Sequence, residues 1–188
     1  MFDLSGLSTA LLENWHVWLV TVVLVVAAVI DGRQLKVPNW ITFPMIISGW
    51  VYSTVAFGWA GLGWSMLGTV VGLALLMPAY AIGGMGAGDV KLLGGVGAWV
   101  WPLATFYAFC VSAIIGGILA VAMVMARGVW EKHRTQFWMI LNEIMVLRNP
   151  DQLATIAAER KSSMMLLPYG IPIAIGSIAY FAWAGMLL

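Results

Sequence analysis

The chain has 188 residues, of which 62% are hydrophobic and only 9% are charged, with a formal net charge of +1. Soluble domains carry about 25% charged residues, so this composition excludes an ordinary soluble protein and predicts a lipid bilayer as the surroundings. The near-neutral charge and the lack of a basic cluster with interleaved aromatic residues exclude nucleic acid as a partner. We therefore predict an all-α fold, a polytopic bundle of about six transmembrane helices that forms a single membrane domain over residues 1–188.

The first predicted span runs from Trp15 to Ile30, with tryptophans at its start as interfacial anchors. It ends at Asp31, and we expect Gly32 to cap the helix there. No Lys or Arg precedes this run, unlike the basic start of a signal peptide, so we expect the first helix to be retained. Asp31 is therefore expected at a membrane boundary.

The next two predicted spans are separated by a glycine-rich turn. Asn39 is expected to cap the second span, which runs to about Phe57. The uncharged turn 58–63 follows, and the third span extends from Trp64 to Ile82. It leads into the stretch 83–91, GGMGAGDVK, which places a carboxylate and an ammonium group in an otherwise apolar region. Charged groups are costly in a membrane, so we expect these two to have a structural or functional role.

Residues 89–126 are too long for one span. Their 38 residues would form a helix about 57 Å long, roughly twice the thickness of the hydrocarbon core. The stretch 99–102, with two tryptophans and Pro102, is the predicted turn between a short fourth span and a longer fifth. A sixth span is expected from Pro168 onward.

Residues 127–163 differ from the rest because they contain six of the nine Lys and Arg residues. Apolar residues recur at helical spacing there, which predicts a cytoplasmic helical segment lying in the headgroup plane between spans five and six. A linker helix packed on the domain is an equal alternative.

The distribution of basic residues predicts the orientation. If the amino terminus is outside, six spans place all nine Lys and Arg residues on the same side. The positive-inside rule makes this side cytoplasmic. Asp31 and Asp89 are then both expected at cytoplasmic helix ends, at equal depth.

Two carboxylates at equal depth can form a facing pair. When two such groups share a partly desolvated site, one keeps a proton while the other can accept one from water, which is the division of roles in an aspartic protease. Gly86 and Gly88 lack side chains and would let a substrate strand approach Asp89. Lys91 is a further candidate for substrate contact, or a marker of the cytoplasmic interface.

Structural interpretations of the same residues stay open. Asp89 alone would serve equally well as the N-cap of span four. Asp31 alone would serve as a boundary residue paired with Arg33 or Lys36. His16 and His133 are expected on opposite faces, so no metal site is predicted.

Three patches of the sequence resemble the type IV prepilin peptidases, membrane aspartic proteases of the GxGD class. They are the motif 86–92, the pair Asp31-Gly32-Arg33 and Val37-Pro38-Asn39, and the late stretch 168–172, PYGIP. The resemblance implies that Asp31 and Asp89 are the catalytic pair and that no cofactor is needed. It also implies a multi-pass protein of the inner membrane that removes the short basic leader of a prepilin or pseudopilin on the cytoplasmic face.

The single cysteine, Cys110, separates this chain from the larger members of that family. Those members carry paired cysteine motifs in a cytoplasmic region tied to N-methylation. The chain looks more like the short peptidases of tight-adherence (Flp) pilus systems, so we predict peptidase activity without methyltransferase activity.

Two functions from other classes remain as alternatives. One is a transporter or channel subunit whose aspartates carry protons or ions. The other is a pilus-assembly subunit that binds pilin helices without cleaving them.

Overall fold

The computed structural model describes residues 14–81, 83–126 and 168–187. These residues form four helices and no strand. The helices are α1 (Trp15–Gln34), α2 (Asn39–Ala81), α3 (Ala87–Ala126) and α4 (Gly170–Trp183). By length and composition, α1, α2 and α3 are each suited to cross a membrane, and α4 is a shorter apolar helix. The predicted all-α class is confirmed for the described residues, and the three long apolar helices are consistent with a membrane bundle.

Helix α2 folds back on itself at Gly58, where φ is 66° and ψ is −156°. In a straight helix, Trp50 and Thr69 would lie about 28 Å apart. Instead the Trp50 indole N–H donates a 3.0 Å hydrogen bond to the Thr69 hydroxyl. Helix α2 is therefore a hairpin of two segments, α2a (39–57) and α2b (59–81).

The turn in this hairpin is shorter than the sequence predicts. Helix resumes at Trp59 rather than Trp64, so the predicted turn 58–63 is wrong in extent although its position is right. The reason is that a glycine tolerates a positive φ at little cost, so one residue is enough to reverse the chain.

A second break divides α3 at Trp101, where φ is 66° and ψ is 176°, immediately before Pro102. The predicted turn at 99–102 is confirmed, and α3 consists of α3a (87–100) and α3b (102–126). The described residues thus contain six helical segments, which fits the expected number of spans. That all six cross a membrane stays a prediction, and the predicted helical segment 127–163 lies outside the described residues.

Segment α3a occupies the centre of the bundle. Four of its apolar residues, Leu92, Leu93, Val96 and Ala98, are completely buried. Its backbone lies against α2b so closely that a Cβ added at Gly68 would meet the carbonyl of Gly97. This packing fixes the helix whose first turn carries Asp89.

The end of α1 differs from the prediction. Helix continues to Gln34 and is closed by Leu35, which has a φ of 53° and donates its N–H to the Asp31 carbonyl at 2.8 Å. Gly32 is therefore not the cap and lies inside the helix, where a Cβ would contact Ile171 at 3.4 Å. Asp31 belongs to the last helical turn, so the helical backbone fixes the direction of its side chain.

Candidate active site

Asp31 is buried, with only 1% of its surface exposed. Its Oδ2 accepts a 2.7 Å hydrogen bond from the main-chain N–H of Gly170, the first residue of α4. Burying a carboxylate is costly unless it is hydrogen-bonded, and the free N–H groups at a helix start favour a negative charge. A Cβ at Gly170 would lie 2.9 Å from the Asp31 Cβ, so a glycine is needed for this close contact.

Asp89 is also buried, with 4% of its surface exposed. It is the third residue of α3, and its Oδ2 accepts a 3.2 Å hydrogen bond from the N–H of Gly86. In return the Asp89 N–H donates to the Gly86 carbonyl at 3.2 Å. Gly86, and not Asp89, is therefore the N-cap of α3. The Asp89 carboxylate accepts the N–H of this N-cap residue from the first turn of the helix, as in a capping box.

Tyr169 lies at the entrance to α4 and immediately precedes Gly170, the residue whose N–H binds Asp31. Its ring is partly buried and packs against the hydrophobic core. The Asp89 carboxylate is close enough to the Tyr169 phenol to interact with it electrostatically. Asp31 and Asp89 therefore both lie near the residues that begin α4.

The connection before α2 contacts the start of α3. A Cβ at Gly88 would collide with the Val37 carbonyl oxygen. The Lys91 ammonium donates a 2.9 Å hydrogen bond to Oδ1 of Asn39 and lies 4.7 Å from the centre of the Phe43 ring. Two of the patches that carry the family resemblance are thus in contact.

A known protein family matches the part of the chain that carries both acids. The family model described as the type IV leader peptidase family matches residues 18–121, which include both Asp31 and Asp89. The chain belongs to the type IV leader peptidase family. Residues of α4, including the glycine that binds Asp31, lie beyond the matched part of this family member.

Curated relatives of this leader peptidase family member are named prepilin leader peptidase/N-methyltransferase. The relative from Aeromonas salmonicida (strain A449) is 29% identical over 129 residues, covering 65% of this chain and 42% of the relative. The relative from Neisseria gonorrhoeae is 32% identical over 117 residues, covering 58% of this chain and 41% of the relative. The matches thus span less than half the length of these relatives. No solved structure matches the chain significantly.

The predicted site residues of this family member have partners within the chain. The Gly86 N–H binds Asp89, Gly88 packs against the Val37 carbonyl, and Lys91 binds Asn39. The prediction that Asn39 caps the second span is wrong, because Asn39 is itself the first residue of α2 and its side chain accepts from Lys91. A role of Gly86, Gly88 or Lys91 in substrate binding stays a prediction.

Sequence reasoning missed Tyr169 and Gly170 as neighbours of the acids. Residues 168–172 were singled out in the sequence only because they resemble the final helix of the family. A glycine that begins a short apolar helix offers N–H donors without a side chain, and this pattern would have been the signal.

His16 lies at the other end of α1 from Asp31, about 22 Å away along the helix. It stacks on Tyr52 with ring centres 5.4 Å apart, and Tyr52 stacks in turn on Trp99 at 5.1 Å. His133 lies outside the described residues. In the ranges the structure describes, no three His, Cys, Asp or Glu side chains are grouped to hold a metal ion.

Proposed function

We propose that this protein is a membrane aspartic endopeptidase that removes the short basic leader peptide of type IV (Flp-like) prepilins or pseudopilins. Asp31 and Asp89 would jointly activate the attacking water. The observation that carries the proposal is that two buried carboxylates, 58 positions apart in the sequence, both lie near the start of α4. Asp31 accepts a hydrogen bond from Gly170, and Asp89 interacts electrostatically with the adjacent Tyr169. Membership of the leader peptidase family supports the choice of substrate.

The chemistry follows from two acids in one partly desolvated site. They cannot both ionise cheaply, so one carries a proton while the other is a carboxylate. The carboxylate takes a proton from water as the oxygen bonds to the carbonyl carbon of the peptide. The protonated partner then gives its proton to the leaving nitrogen, and the peptide bond breaks.

The membrane determines where the scissile bond of the substrate lies. A prepilin carries its leader immediately before a long apolar helix, so the scissile bond is presented at a membrane boundary. Asp31 in the last turn of α1 and Asp89 in the first turn of α3 are both at helix ends, the depth that such a bond would occupy. With the basic residues on one side, this boundary is the cytoplasmic face of the inner membrane.

We also propose that the chain is a peptidase without N-methyltransferase activity. Its relatives are named for both activities, but these 188 residues contain only Cys110, whereas the larger members carry paired cysteine motifs. Mass spectrometry of a processed pilin, made with S-adenosylmethionine present, tests this. We expect an unmodified amino terminus, and a product heavier by one methyl group would contradict the proposal.

The peptidase proposal is tested with Asp31→Asn and Asp89→Asn, co-expressed with a leader-bearing prepilin. Each change keeps the side-chain shape but removes the ability to exchange a proton, so we expect no processing by either variant. Asp151→Asn, the same change in the 127–163 segment, is the matched control and should process normally. Membrane insertion is checked by fractionation. Processing that survives in an inserted Asp31 or Asp89 variant would contradict the assignment.

A further inference from the structure

The connection between α1 and α2 consists of residues 35–38 alone. It begins one turn after Asp31, whose carbonyl accepts the N–H of Leu35 at 2.8 Å. Val37 in its middle is buried, with 5% of its surface exposed. A chain of this length spans at most about 14 Å, so it has little slack. A contact that holds its far end therefore also restrains the helical turn that carries Asp31.

The start of α3 contacts this connection and its far end at two points. A Cβ at Gly88 would collide with the Val37 carbonyl oxygen, so the two backbones lie in direct contact. The Lys91 ammonium donates a 2.9 Å hydrogen bond to Oδ1 of Asn39, the first residue of α2. Asp89 lies in the sequence between these two contacts, in the same helical turn.

The Lys91 side chain has two partners on α2. Besides its bond to Asn39, its ammonium lies 4.7 Å from the centre of the Phe43 ring, within the range of a cation–π contact. Asn39 and Phe43 are four residues apart on one helix, so they lie on the same face of it. Both interactions of the ammonium therefore tie the first turns of α3 to the first turn of α2.

We propose that Lys91 and Asn39 are positioning residues. They form a clamp that holds the connection 35–38 against the start of α3, and this clamp sets the separation of the Asp31 and Asp89 carboxylates. The inference rests on the proposed peptidase function and concerns the same site. In this role Lys91 does not contact the substrate, and its effect passes through the backbone that carries the two acids.

Two acids on different helices need such a clamp because they must act on one water. The Gly170 N–H fixes Asp31 and the Gly86 N–H fixes Asp89, but neither of these bonds joins α1 to α3. A misplacement of about 1 Å can cost about 10²-fold in rate. A tie between the end of α1 and the start of α3 therefore acts on the distance on which the chemistry depends.

The test measures cleavage of a leader-bearing peptide in proteoliposomes by Lys91→Met and Asn39→Ala. Each change removes one half of the clamp, and because the hydrogen bond is exposed the protein should still fold. We expect kcat to fall about tenfold in each variant, with KM within about twofold. The double variant should lose no more than either single variant, since both changes remove the same contact.

Two further variants separate the clamp from a general effect of charge. Lys91→Arg keeps a charged donor that can stack on Phe43, so it should retain at least about half of the kcat. Lys36→Met is the matched control, because Lys36 is an exposed lysine in the connection itself, and it should keep the full kcat. Membrane insertion is checked by fractionation, and Asn39→Ala decides the question alone if Lys91→Met does not insert.

Three results would overturn the inference. They are an unchanged kcat in both single variants, losses that multiply in the double variant, and a rise in KM for Lys91→Met that Asn39→Ala does not share. The last result would mean that Lys91 contacts the substrate. In each of them Asp31→Asn and Asp89→Asn would still abolish cleavage, so the proposed function would stand. An intact protein that cuts no leader-bearing peptide overturns the proposed function and this inference together.

A binding measurement reports on the separation of the two acids without turnover. The probe is a leader peptide in which a hydroxyl-bearing tetrahedral carbon replaces the scissile carbonyl, so that its hydroxyl takes the place of the attacking water. The same peptide with a methylene at this position is the comparison. Lys91→Met and Asn39→Ala should each weaken binding of the hydroxyl peptide at least about fivefold and leave the methylene peptide unchanged. Equal weakening of both peptides would overturn the inference.

Discussion

The main-chain N–H of Gly170 donates a 2.7 Å hydrogen bond to Oδ2 of Asp31, 139 positions earlier in the chain. This bond joins the last turn of the first helix to the first turn of the last described helix. Asp31 is almost fully buried, and a buried carboxylate without a donor is strongly destabilising. The orientation of Asp31 therefore depends on the position of α4.

Replacing this glycine should disturb the site directly. In Gly170→Ala, the new Cβ would lie 2.9 Å from both Cβ and Oδ2 of Asp31. Either α4 or Asp31 must move, so we expect leader cleavage to fall at least tenfold and the free energy of unfolding to fall by about 1–3 kcal/mol. Peptide cleavage and thermal unfolding in detergent measure the two effects.

The control for this change is Gly117→Ala, because a Cβ at Gly117 has nothing within 4 Å. It should leave cleavage close to that of the intact protein and should raise, not lower, the free energy of unfolding, by up to about 1 kcal/mol, because alanine favours the helix. If Gly170→Ala behaves like Gly117→Ala, Asp31 does not depend on its contact with α4.

The close contact between α2b and α3a should be equally sensitive. A Cβ at Gly68 would meet the Gly97 carbonyl, with the carbonyl carbon 2.9 Å away. Because both atoms belong to packed backbone, Gly68→Ala should lower the free energy of unfolding by about 1–3 kcal/mol. Thermal unfolding in detergent gives this difference.

Gly63→Ala, on the same helix, is the comparison, since a Cβ at Gly63 contacts nothing within 4 Å. There alanine should stabilise the helix by up to about 1 kcal/mol through its better helix propensity. Equal stability of Gly68→Ala and Gly63→Ala would contradict the prediction, because it would show that α2b and α3a can move apart without lowering the free energy of unfolding.

The hydrogen bond from Lys91 to Asn39 predicts energetic coupling between the start of α2 and the start of α3. Lys91→Met and Asn39→Ala should each cost about 0.5 kcal/mol, because the bond is charge-assisted but exposed. The double variant should cost less than the sum of the two, as expected for residues in contact. A double-mutant cycle on unfolding measures this coupling, with the exposed Lys36→Met as a control. Strict additivity would contradict a contribution from this bond.

Local features of the fold were readable from the sequence. The apolar runs predict the helices, Gly58 marks the reversal in α2, and Trp101 with Pro102 marks the break in α3. Glycine and proline act through the backbone of their own turn, so their effect is visible without knowledge of the rest of the chain. The extra turn of α1 up to Leu35 was not readable, because a non-glycine residue rarely takes a positive φ.

Contacts between distant segments were not readable. The acids were expected at one membrane boundary from charge counting, but nothing in their own neighbourhoods indicates that Gly170 binds Asp31. The same holds for Lys91 and Asn39, which looks like a cap in the sequence and is a hydrogen-bond acceptor in the fold. Such partners are set by how the helices pack, which periodicity does not specify.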